Sequence, residues 1–276
     1  MRAFGAFSLS IALALSPVAA AEKNRPLDQP GSAAAEGWSG FYVGAFLGYG
    51  RGATNLATDA GVPTATSYFT AAENIASVEK HGTGSLSEGV PVAGIQFGAN
   101  IQTGAIVFGV EADLGTFRMS QSVGATDFTY PTFAAAYTMR ASVETDWLFT
   151  LRARAGWTPL PNLLIYATGG LAVTDLTVSN AFRDNAPSDG LGGTSTTDMR
   201  FGWTAGGGAE LALARNWSLK AEYLYLDLGT ATAKGTVTCA PPTPNLCNLV
   251  GRDSSPFVTS ADLTVHTVRV GLNYRF

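Results

Sequence analysis

The chain has 276 residues with 17 Lys+Arg against 21 Asp+Glu, and only 14% of its residues are charged, well under the roughly 25% of a soluble domain. No basic run suggests nucleic acid. Beyond the first twenty residues no apolar run is long enough for a helical membrane span. Thirty-two Gly and 11% aromatics fit strands in which only alternate residues need be apolar.

The N-terminus reads as a secretion leader over residues 1–21. Arg2 gives the positive start, Phe4 to Leu15 the apolar stretch, Ser16-Pro17 the break and Ala19-Ala20-Ala21 a small-residue cleavage site. Residues 22–37 have no periodicity and several breakers, and are expected to form a flexible periplasmic segment. A single barrel domain is then predicted over 38–276.

Its first strand, Trp38 to Gly50, sets Phe41, Val43, Ala45, Leu47 and Tyr49 against Tyr42, Gly44, Phe46 and Gly48. Val90 to Gln102 follows, with Ile95, Phe97, Ala99 and Ile101 opposite Gln96, Gly98 and Asn100. Thr103-Gly104 turns the chain into Ala105 to Phe117, where Phe108, Val110, Ala112 and Leu114 oppose Glu111 and Asp113. Thr145 to Trp157 places Trp147, Phe149 and Leu151 opposite Arg152 and Arg154, and Leu163 to Thr174 continues after a short Pro-rich turn. Phe201 to Leu213 carries Glu210, and Trp217 to Leu228 carries Lys220 and Glu222, on the faces with small residues. In the last strand, Thr264 to Phe276, Val268, Val270, Leu272, Tyr274 and Phe276 oppose Arg269, Gly271, Asn273 and Arg275.

Eight strands therefore share one pattern, an apolar face and a face of glycines, amides and charges. Connections after the even strands are short, whereas 51–89, 118–142, 175–199 and 229–262 read as long loops rich in Thr, Ser, Ala, Gly and Asp. A soluble barrel would bury the apolar face and show its charges to water. Here charges and glycines share a wall, and Trp147, Trp157, Trp203 and Trp217 stand on the apolar face near strand ends, where interfacial girdles belong. The predicted fold is all-β, an eight-stranded antiparallel transmembrane up-and-down β-barrel with its termini in the periplasm.

The nine inward charges Glu111, Asp113, Arg152, Arg154, Glu210, Lys220, Glu222, Arg269 and Arg275 form a predicted lumen network. A bore this narrow holds little beyond side chains, so the charges must pair. They either plug the interior or leave a polar lane for water and small ions. The bulky inward Phe46 and Tyr166 favour the plug. Cys239 and Cys247 bracket a Pro-rich loop and, in an exported chain, are expected to form a disulfide, contributing about 2–3 kcal/mol. No metal, cofactor or enzyme chemistry is expected. Glu111 and Asp113 resemble a carboxylate dyad but share a crowded, Arg-rich lumen, and His266 has no acid near it on its strand. A ligand such as haem would rest on Tyr68, His81, Met119 or Met139, in or near the outer loops.

Five stretches, Trp38-Ser-Gly-Phe-Tyr-Val-Gly44, Phe108-Gly-Val-Glu-Ala-Asp113, Tyr166-Ala-Thr-Gly-Gly170, Asn216 to Asp227 and Arg269 to Phe276, resemble the porin-like, opacity-type outer-membrane proteins of alphaproteobacteria. The resemblance covers nearly the whole mature chain except the long loops. It implies an outer-membrane location and contact with outer-membrane lipid and lipopolysaccharide. It also implies a terminal signal at Tyr274 and Phe276 for the barrel-assembly machinery. An envelope-structural and surface-display role is expected, with a narrow porin or a loop-mediated receptor or adhesin as alternatives. No extracellular partner is legible.

Overall fold

The computed structural model describes residues 37–187, 189–239 and 254–276. The leader, residues 22–36 and Cys247 lie outside the described residues. Eight strands run in chain order: β1 (Gly40–Asp59), β2 (Gly84–Thr103), β3 (Ile106–Thr129), β4 (Ala136–Leu160), β5 (Leu163–Asp184), β6 (Gly190–Ala212), β7 (Trp217–Cys239) and β8 (Ser255–Arg275). Each pairs antiparallel with its neighbours, and β1 closes on β8, giving a sealed barrel. Closure leaves no sheet edge along the lipid, where an unpaired backbone group would cost several kcal/mol.

Two-residue turns at 104–105 and 161–162 and four residues at 213–216 join the strands at one rim. Gly104 supplies the left-handed conformation that the first of these turns needs (φ 61°). At the other rim, 60–83 carries one helix, α1 (Ala72–His81), and only six residues, 130–135, join β3 to β4, and five, 185–189, join β5 to β6.

The expected long loops are mostly strand. Strands of 20 to 25 residues span about 65–80 Å, far more than the roughly 25 Å apolar band of an outer-membrane barrel. The barrel therefore has two storeys. In the storey holding the short turns, large apolar side chains point outward: on β1, Phe41, Val43, Leu47 and Tyr49 are all exposed. In the storey beyond, the outer wall turns polar, with Arg51, Asn55, Ser120, Glu144 and Ser195. Its bore fills with Leu56, Val92, Phe117, Met119, Leu176, Leu226, Leu263 and Val265, all buried.

Thr-, Ser- and Gly-rich segments form strand there because alternate residues still meet a core, while the intervening ones face water. The ladders break where the storeys meet. Register shifts fall between Thr116 and Met119 on β3, Glu144 and Phe149 on β4, and Asp227 and Thr230 on β7. A bulge adds a residue, and on β4 and β7 it reverses which parity faces inward, whereas on β3 Asp113 and Phe117 keep the same parity. Thus Thr145 and Leu148 are both buried, as are Leu228 and Ala231.

The short-turn rim is sealed by Trp38, Val107, Leu164 and Tyr166. Trp38, expected at the start of β1, instead turns into the bore and is buried. Its four companions behave otherwise. Trp157, Trp203 and Trp217 are exposed on the outer wall and Trp147 is half-buried there. The far rim is closed by α1, whose Ile75 and Val78 pack into an aromatic layer containing Tyr68, Phe69, Tyr130, Tyr137, Phe182 and Phe257.

Candidate functional site

The charges of the lower storey meet in the middle of the bore. Cross-strand register begins the job: Glu111 sits opposite Arg152, Glu210 opposite Lys220, and Glu222 opposite Arg269. Long side chains then reach across the barrel. Arg152 contacts Glu111 and also Asp113 at 2.7 Å and Glu222 at 3.0 Å. Arg269 joins Asp113 at 2.8 Å and Glu222 at 2.6 Å. The Lys220 Nζ lies 2.8 Å from Glu111 and 3.7 Å from Glu222. Arg154 binds Glu210 at 2.8 Å and approaches Glu111 at 3.5 Å.

Four acids thus face four bases, all buried, in a net-neutral cluster. Arg275 stands apart. Its Nη1 donates to the Gly37 carbonyl (2.7 Å) and its guanidinium lies 4.7 Å from the Trp38 ring centroid, at the mouth.

Hydroxyls and amides take up the lone pairs that the cations leave. Tyr42 donates to Glu111 and Tyr166 to Glu222 (2.7 and 2.8 Å). Ser218 and Asn273 donate to Glu210 (2.6 and 2.9 Å). Rings cover the cation faces, Tyr166 under Arg154 at 4.3 Å and Phe46 under Arg269 at 4.5 Å. Glycines make room for those rings: a Cβ on Gly94 or Gly115 would come within 2.6 or 2.8 Å of Phe46 Cζ.

Satisfied in this way, buried ions avoid the cost of isolation. The cavity beside the network, lined by Phe46, Asp113, Leu224, Thr267 and Arg269, is about 20 Å³, room for about one water. The unpartnered Thr267 hydroxyl lines it. The hydroxyl donors Tyr42 and Tyr166 were legible only as bulky inward residues. Their task depends on which carboxylate stands across the bore, and local sequence does not carry that.

The other candidates do not converge. Met119 lies in the upper-storey core and Met139 in the aromatic layer. The Nδ1 of His81 is 2.8 Å from the Tyr137 hydroxyl, its ring lies against Phe128, and Tyr68 donates to Asp184. His266 Nδ1 meets the Tyr223 hydroxyl at 2.7 Å on the outer wall. Glu111 and Asp113 are both held by Arg152, so neither is free to act as a base. Among the described residues, no group of three or more His, Cys, Asp or Glu is arranged to hold a metal. Tyr274, the residue before the last of β8, stands on the outer wall with Trp217 on one side and Phe276 on the other (centroids 5.2 and 5.3 Å).

An apolar belt outside, charges paired inside and a closed ladder define an integral outer-membrane β-barrel protein. The chain belongs to the outer membrane protein beta-barrel domain family, whose model matches residues 8–276. It is 33% identical over 240 residues to the 31 kDa outer-membrane immunogenic protein of Brucella melitensis, covering 87% of this chain and 84% of that one. It is 32% identical to the 22 kDa outer membrane protein of Rhizobium leguminosarum bv. viciae over 47% of this chain and 49% of that one. These relatives carry the names of outer-membrane proteins, not of enzymes. Among solved structures, the outer membrane protein OprG of Pseudomonas aeruginosa matches with a TM-score of 0.45 and 12% identity, covering 88% of this chain and all of OprG.

Proposed function

We propose that this outer-membrane protein is a closed barrel that stiffens the envelope and displays a folded surface, without conducting solutes and without catalysis. The observation that carries this reading is the filled bore. From mouth to cap it passes from the Trp38 seal through the paired charges to the apolar core and the aromatic layer. A conducting lane would need a continuous wet path, and the upper storey offers hydrocarbon instead. The leader over 1–21 is removed on export, and Cys239 pairs with Cys247 to tie the end of β7 to the β7–β8 connection. Outer-membrane lipid and lipopolysaccharide surround the belt, and Tyr274 and Phe276 engage the assembly machinery.

Single-channel recording of the refolded protein in a planar bilayer tests the reading. The wild type is expected to show no steady conductance. Replacing Arg152 and Arg154 together by Ser leaves Glu111, Asp113, Glu210 and Glu222 under-compensated, which draws water into the lower storey. The apolar upper storey keeps the pathway shut. A large, stable wild-type conductance would establish the narrow-porin alternative instead.

A further inference from the structure

Three of the connections at the rim opposite the short turns converge on a cavity of about 120 Å³, slightly smaller than the roughly 150 Å³ cavity that admits benzene in an engineered protein. Tyr68, Phe69, Tyr130 and Phe133 wall it, and Asn74 and Asp184, with Thr70 and Thr132, supply polar side chains. Asp184 ends β5 and is buried. Every ion pair among the described residues belongs to the lumen network, so among these residues no cation stands within pairing distance of Asp184.

The carboxylate is held entirely by neutral donors: the Tyr68 and Tyr130 hydroxyls (2.7 Å each) and the amides of Gly190 (2.6 Å) and Ala186 (3.3 Å). Burial, and then the Asp184 charge, push the Tyr130 hydroxyl well above the usual phenol range, so it stays protonated and donating. Four hydrogen bonds fix the carboxylate without neutralising it.

Aromatic faces are negative and attract a cation placed over them. Phe133, stacked on Tyr130 with centroids 4.7 Å apart, is 43% exposed and forms the outer wall. The start of α1 lies beside the cavity and opposes a cation with about half a charge, which the first-turn Glu73 offsets.

We infer that this cavity binds one small organic ammonium group, a primary or methylated amine, from the medium outside the cell. Its source is either a free solute or the head group of a phosphodiester.

The test is saturation-transfer NMR on the refolded barrel in a detergent without ammonium groups, with choline as the probe. The choline N-methyl signal should gain saturation, and 3,3-dimethyl-1-butanol, the uncharged isostere of choline, should not. Phe133→Ala, at an exposed position that leaves the fold intact, should weaken choline binding several-fold. Asp184→Asn should abolish it, with folding verified by heat-modifiable gel mobility. If Asp184→Asn fails to fold, the isostere comparison and Phe133→Ala decide. Glycerophosphocholine in a parallel arm separates the sources: binding of both favours a head group, and binding of choline alone favours a free solute. Equal saturation of choline and its isostere, no saturation of either, or a folded Asp184→Asn that still binds would overturn the inference.

Discussion

One strand, β5, shows both halves of the molecule. In its lower part Leu171 faces outward while Tyr166 and Thr168 face a bore full of charges. Eight residues further, Ser179 faces outward while Leu176 and Val178 face a bore full of hydrocarbon. The period of two runs through both storeys and its meaning reverses. Lipid outside the lower storey makes burial of apolar side chains no gain, so the interior there is held by ion pairs and hydrogen bonds of high specificity. Water outside the upper storey restores the ordinary hydrophobic driving force, and the same barrel encloses a conventional core. Stability and closure thus come from different physics at the two levels.

The largest test of this contrast breaks the lower network. Arg152→Met removes the cation shared by Glu111, Asp113 and Glu222 and leaves buried acid in excess. It should destabilise the barrel by about 3–5 kcal/mol, measured by denaturant unfolding in lipid vesicles. A change under about 1 kcal/mol would mean that water already reaches the network. Next comes a matched pair on β5. Leu176→Ala, in the upper core, should cost about 2–5 kcal/mol by leaving a cavity. Leu171→Ala, toward lipid, should cost far less because acyl chains close over the gap. Equal losses would erase the distinction between the storeys.

A second pair makes the same substitution twice on one face of β1. Ala45 and Ala57 are both exposed, twelve residues apart. Ala45→Arg, in the middle of the apolar belt, should cost about 2–4 kcal/mol. Ala57→Arg, above it, should stay within about 0.5 kcal/mol. Unfolding of both variants in the same vesicles locates the level at which lipid gives way to water.

The lower storey was legible in the sequence because its outward residues are large and apolar and its inward ones small or charged. Both facts survive at single-strand resolution. The upper storey was read as loops for two physical reasons. Its outer face is built from Thr, Ser and Gly, which also compose loops, and on β4 and β7 its inward parity switches at the bulges. The alternation in the fourth strand dies at Thr145 and that in the seventh at Leu228, next to the residues where β4 and β7 bulge. Eight of the nine predicted lumen charges do meet. Alternation puts a side chain in the bore, but contacts such as Asp113 with Arg269, 156 residues apart, depend on strand order and tilt. Arg275 shares the parity yet lies too near the mouth to join. The α1 cap left little trace, since its buried Asn74, Ile75 and Val78 make only one short turn of apolar contact.

The smallest effect sharpens the contrast within the upper storey itself. The β6–β7 ladder pairs Gly192 with Val237 and resumes only at Trp203 with Asp227. Ten residues of β6 and nine of β7 between these pairs have no partner across the seam, although all ten stay paired to β5 and, apart from Leu228 and Gly229 at the bulge, the nine stay paired to β8. The Arg200 guanidinium bridges part of the gap to the Thr230 carbonyl. Water can solvate this seam because the wall there faces no lipid, whereas the same lapse lower down would strand polar groups in hydrocarbon. Alternate amides in 193–202 should therefore exchange hydrogen with little protection, while 203–212 of the same strand exchanges only through opening close to global unfolding. Hydrogen–deuterium exchange of the refolded barrel, read on peptides covering the two segments, measures the difference. Equal protection would show that the seam is zipped in solution and that the upper storey is as fully closed as the lower.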